Sequence, residues 1–93
     1  MTGLMTEILN DELYRYYPLG QHVVRAVGVC GGHQTFKDTR IGIAGTLDRL
    51  AAGENIDEIV TGYRGRVSRE AVIEAIRIVT AGFLRTLPEL EPA

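Results

Sequence analysis

The sequence has a single cysteine, Cys30, so no disulfide closes within the chain, and a reducing cytoplasm is the expected compartment. Neither charge is in marked excess: ten Lys and Arg against twelve Asp and Glu leave a formal net charge of −2. That balance excludes a chain that is basic throughout, the usual state of dedicated nucleic-acid binders, because phosphate neutralisation supplies most of their affinity. Any DNA contact would rest on a local patch or on charge pooled between copies. No apolar run approaches the roughly 20 residues that cross a bilayer, so no membrane partner is expected. No basic and then apolar leader opens the sequence, and Met5 could serve as a second start.

Motifs that carry chemistry are also scarce. Cys30 and His33 have C-x-x-H spacing with His22 nearby, but no second Cys or His pair completes the four ligands a zinc site needs. The glycine-rich run over residues 28–32 lacks the spacing of a dinucleotide or P-loop fingerprint. No serine sits in a nucleophile elbow. Asp11, Glu12, Asp48, Asp57, Glu58, Glu70 and Glu74 are scattered and read as solvated faces or helix N-termini. No enzyme, metal or cofactor is therefore expected.

At 93 residues the chain is expected to form a single domain spanning 1–93, small enough that oligomerisation would help stabilise it. Over residues 6–17, Ile8, Leu9, Leu13 and Tyr16 have helical spacing, with Thr6 as N-cap, and predict an N-terminal helix. Tyr14, Tyr16 and Tyr17 are expected to pack against the domain or a partner chain. Residues 22–43 predict a short hairpin region. Val23, Val24, Val27 and Val29 favour a strand, glycines make the turn, and Arg40 to Ile43 forms a second extended piece.

A trihelical unit is expected over residues 44–87. Its first helix, residues 44–52, buries Leu47, Leu50 and Ala51 and closes on Gly53. Asn55-Ile56-Asp57-Glu58 has capping-box spacing and opens a second helix over residues 56–62. Ser68 caps the third, residues 69–87, stopped by Pro88 before a mobile tail, 88–93. The expected fold is thus mainly α: a short β-hairpin, then a helix-turn-helix-like (homeodomain-like) unit, with the extra N-terminal helix in front.

The third helix has two apolar stripes. Val72, Ala75, Ile76, Val79 and Phe83 make one; Ile73, Thr80, Leu84 and Leu87 make the other. A helix apolar on two sides is usually buried on two sides. The second stripe is expected to form a homodimer or higher homo-oligomer interface. Arg64, Arg66, Arg69 and Arg77 are the candidate DNA-binding residues, around the turn before that helix and on its exposed face, although Glu70 and Glu74 oppose phosphate there. Arg40 stands at the entry to the trihelical unit, where it either ties turn carbonyls together or meets a partner's carboxylates.

The order of parts resembles domain-of-unknown-function family 433. Gly31, Gly32, Thr39, Arg40, Ile41, Leu50, Ala51, Gly53, Glu58, Ile59, Tyr63, Val72 and Ala75 fall on its pattern, over roughly residues 23 to 82. Gln34 stands where that pattern has proline, and Asp38 where it has glycine. The resemblance implies an antitoxin-type protein that binds a small toxin resembling a PIN-type metal-dependent ribonuclease and represses its own operator DNA as a dimer. On that reading Arg40, Phe83 and Arg85 are the partner-binding residues, with arginine occupying the toxin's metal-binding carboxylates. A DNA-binding regulator without a toxin, or a protein-interaction module, is the alternative.

Overall fold

The computed structural model describes residues 3–86. Four strands come first and three helices follow: β1 Met5–Leu9, β2 Glu12–Pro18, β3 Val23–Ala26, β4 Gln34–Phe36, α1 Ile43–Ala51, α2 Ile56–Gly62 and α3 Arg69–Thr86. The strands form one antiparallel sheet in the order β1-β2-β3-β4. The fold is therefore an antiparallel sheet with helices packed on it, and the mainly α expectation is corrected.

The N-terminal helix expected over residues 6–17 is absent; that segment is the β1–β2 hairpin. Its turn explains why. Asn10 and Asp11 both take positive φ, 52° and 64°, and Leu9 faces Glu12 across them. Two consecutive left-handed residues make the turn that suits a two-residue hairpin, and Asn and Asp tolerate that conformation better than other non-glycine residues. The strands on either side then alternate. Tyr14 and Tyr16 are buried while Leu13, Arg15 and Tyr17 are exposed. The apolar spacing that fitted 3.6 residues per turn is equally served by a period of two.

The hairpin expected over residues 22–43 is the inner part of this larger sheet. β3 and β4 pair through Val23–Phe36 and Val24–Thr35, and a 3₁₀ turn at Cys30–Gly32 lies between them. The second extended piece, Arg40 to Ile43, reduces to one bridge from Gly42 to Thr35, and α1 begins one residue earlier than expected. The three helices themselves lie where local signals put them. Asn55 and Glu58 form the capping box reciprocally, at 2.8 and 2.9 Å. The Ser68 hydroxyl accepts the Ala71 N–H at 3.1 Å, and Gly53 closes α1 at φ 99°. Leu87 and the tail 88–93 lie outside the described residues.

Two cores result, one on each face of the sheet. Val23 and Phe36 point to the helices and pack with Ile43, Val67, Ala71, Val72 and Ala75. Tyr14, Tyr16, Val24 and Ala26 form the second, with Leu9 and Val29 against them. The Thr46 and Tyr63 hydroxyls bond at 2.7 Å, and the Arg49 guanidinium lies 5.1 Å from the Tyr63 ring centre, so α1 and α2 are tied by polar as well as apolar contacts.

Candidate functional site

The turn from β4 to α1 folds back over the tyrosine face of the sheet. Thr39 makes it rigid: its hydroxyl donates to the Phe36 carbonyl at 2.8 Å and accepts the Ile41 N–H at 3.0 Å. Asp38 takes φ 65° inside this turn, the strained conformation that glycine would adopt freely. Its N–H donates to the Tyr14 hydroxyl at 2.9 Å, and Lys37 beside it bridges Glu7 and Asp38, 3.2 and 3.3 Å away.

This polar group ties β1 and β2 to the turn. Tyr16 donates its hydroxyl proton to Glu7. That bond, and then Lys37, hold the Glu7 carboxyl below its usual range. The same bond to Glu7 pushes the Tyr16 phenol up. Burial raises the Tyr14 phenol, opposed by the Asp38 N–H. Lys37 is pulled down by burial, but its bonds to Glu7 and Asp38 outweigh that and leave it raised. The contacts of Glu7 with Tyr16 and Lys37, and of Tyr14 with Asp38, were not legible in the sequence, because each joins segments whose pairing the local pattern did not reveal.

Beside the turn lies a cleft of about 310 Å³. Its walls come from four places: Leu9, Asn10 and Glu12 to Tyr14 on the first hairpin, Val27 to Val29, Asp38 to Arg40, and Arg66 from the α2–α3 turn. It brings together Arg40 and Arg66, which the sequence placed in different roles. Both are exposed. Among the described residues, neither guanidinium has an ion pair or hydrogen bond. The exposed Cys30 thiol donates to the Arg40 carbonyl at 3.2 Å, so the backbone that carries Arg40 is anchored while its side chain is not engaged.

The other arginines are dispersed. Arg64 is exposed at φ 55° in the same turn as Arg66. Arg69 is engaged by Asp57 at 2.6 Å, and Arg77 lies on the solvent side of α3. Glu74, expected to face outward near them, instead accepts the Gln21 and His22 backbone N–H groups at 3.0 and 2.6 Å. Phe83 and Arg85 line a separate apolar groove of about 610 Å³ with Leu19, Ile43, Leu47 and Val79. Ile73 is half-buried, and Thr80 and Leu84 are exposed. Among the described residues no group of three or more His, Cys, Asp or Glu is placed to hold a metal ion.

The chain matches the family model described as protein of unknown function (DUF433) over residues 23–77 and belongs to that family. The match spans β3 to the first half of α3, and the β1–β2 hairpin lies before it. No curated protein and no solved structure matches the chain. No helix of the described residues is long and apolar enough to cross a membrane.

Proposed function

We propose that this chain is a non-enzymatic binding protein of antitoxin type, whose Arg40–Arg66 cleft receives carboxylates of a protein partner. The observation that carries this reading is the pair of unengaged guanidiniums on one wall system. Arginine stays protonated at neutral pH and offers several donors in a planar fork that matches a carboxylate. A site built on two of them binds and orients acids; it does not shuttle protons. The partner implied by the family resemblance, a small nuclease of PIN type with an acidic metal-binding site, presents that chemistry. Phe83 and Arg85 on the α3 groove supply a second, apolar contact area for the same partner.

The test is affinity purification of the tagged chain from its host, with the bound proteins identified by mass spectrometry. A stoichiometric nuclease that is retained by the native chain and lost from Arg40→Glu/Arg66→Glu supports the reading. Retention of that partner by the double variant, with loss on Arg77→Glu instead, would move the site to α3.

A DNA-binding regulator is the second reading, favoured by Arg64 and Arg66 standing exposed in the turn before α3. Arg69 is already paired with Asp57, and Glu74 is engaged with the sheet, which leaves α3 few groups to read bases. Operator binding that falls on Arg64→Glu/Arg66→Glu, with no protein partner recovered, would select it.

A further inference from the structure

Among the described residues β1 is an outer strand with no neighbour on its second edge, and that edge is disposed to accept another strand. In a two-residue hairpin the residues flanking the turn exchange both backbone hydrogen bonds, and bonded and non-bonded pairs alternate from there. Leu9–Glu12, Glu7–Tyr14 and Met5–Tyr16 are then the bonded pairs of the β1–β2 register, and Ile8–Leu13 and Thr6–Arg15 the non-bonded ones. Arg15 agrees, since its carbonyl turns to the opposite side and accepts the Val27 N–H at 2.8 Å. The amides and carbonyls of Thr6 and Ile8 therefore point away from the sheet, and Leu4 continues that alternation. The far edge differs: β4 is closed by the Thr35–Gly42 bridge.

Soluble proteins usually blunt an edge strand with lysine, proline or a bulge. β1 has none of these. Its one charge, Glu7, belongs to the other face, where Tyr16 and Lys37 hold it. On the face opposite Glu7, Ile8 is 69% exposed, Leu13 69% and Tyr17 47%, beside the exposed Thr6 and Arg15, while Met5, 46% exposed, shares the Glu7 face.

We propose that β1 pairs antiparallel with β1 of a second copy about a two-fold axis at Thr6, joining two four-stranded sheets into one. Thr6 then faces the partner's Thr6, and Leu4 faces the partner's Ile8, all as hydrogen-bonded pairs. An axis at Glu7 would set two carboxylates face to face. An axis at Ile8 would run Thr6 against the left-handed Asn10. A two-fold interface must complement itself, and with the axis at Thr6 no like charges meet, since each Glu7 lies opposite the partner's Met5. This inference is independent of the acidic partner proposed above.

Sedimentation equilibrium of the whole chain tests it, with Ile8→Lys and Leu84→Lys as variants and circular dichroism as the check on folding. The expected result is two chains for the native protein and for Leu84→Lys, and one chain for a folded Ile8→Lys. A second arm uses Cys30→Ser with Thr6→Cys or Arg15→Cys under mild oxidation. A disulfide-linked dimer from Thr6→Cys, and little from Arg15→Cys, gives the register. A monomeric native chain, a dimer dissolved by Leu84→Lys instead, or a foreign polypeptide held on β1 would each overturn the proposal.

Discussion

The Glu74 carboxylate on α3 accepts the backbone N–H of His22 at 2.6 Å and that of Gln21 at 3.0 Å, so one acid clasps the longest helix to the β2–β3 turn. Gly20 makes the approach possible, because a Cβ there would lie 2.7 Å from the Glu74 Oε1 and 2.9 Å from the Ile78 Cδ1. Hydrogen bonds to a charged group contribute about 1.5–3 kcal/mol each when buried, and less where water reaches them. Glu74→Ala is expected to lower stability by about 1–3 kcal/mol on that scale, read as a urea midpoint shift with unchanged slope. Glu74→Gln keeps an acceptor and should lose less. Equal losses for both variants would mean that packing of the side chain, not the bonds, holds the turn.

Stability should depend on Glu7 in acid. Its folded-state pKa lies below the ordinary 4.5, through the Tyr16 hydrogen bond first and Lys37 second. A group depressed in this way stabilises the fold above its unfolded pKa, and that contribution is lost as pH falls through the folded value. Urea midpoints followed from about pH 6 down to about pH 3 should therefore drop less steeply for Glu7→Gln than for the native chain. Parallel curves would remove Glu7 from the acid response.

Thr35 is fully buried on β4, and its hydroxyl is the buried side-chain polar atom without a partner among the described residues. A buried hydroxyl that makes no bond costs its desolvation, about 1–3 kcal/mol in mutational data. Thr35→Val keeps the branched shape and should leave thermal stability unchanged or raise it. A marked fall in Tm would show that this hydroxyl has a partner in solution.

Asp38 is left-handed at φ 65° where the family pattern has glycine. An L-residue there carries about 1–2 kcal/mol of strain, somewhat less for Asp. Its ion pair with Lys37 at 3.3 Å is exposed and offsets little of that. Asp38→Gly is expected to stabilise the chain by about 0.5 kcal/mol once the added chain entropy is subtracted. Loss of stability would assign a larger role to the Lys37 pair.

The helices were legible because their ends are written locally. Asn55 and Glu58 are three residues apart and cap each other, Ser68 bonds the Ala71 N–H, and Gly53 takes the conformation only glycine adopts easily. The first hairpin was not legible in the same way. Ile8, Leu9, Leu13 and Tyr16 fit a helix, and the signal that decides otherwise is the Asn10–Asp11 pair between two alternating runs. Tyr14 and Tyr16 did pack inside the domain as one of the two expected uses of the cluster, while Tyr17 stayed on the opposite, exposed face.

Residue order alone thus determined what depends on neighbours: caps, glycine stops, the three helices and the family pattern from residue 23 onward. Tertiary structure decided what depends on strands meeting across the chain. Only the folded sheet puts Glu7 beside Lys37, turns Glu74 inward to His22, and gathers Arg40 and Arg66 into one cleft. The physical reason is that a strand's side-chain faces acquire partners only through pairing, whereas a helix satisfies its own backbone and records its limits within a turn of its ends.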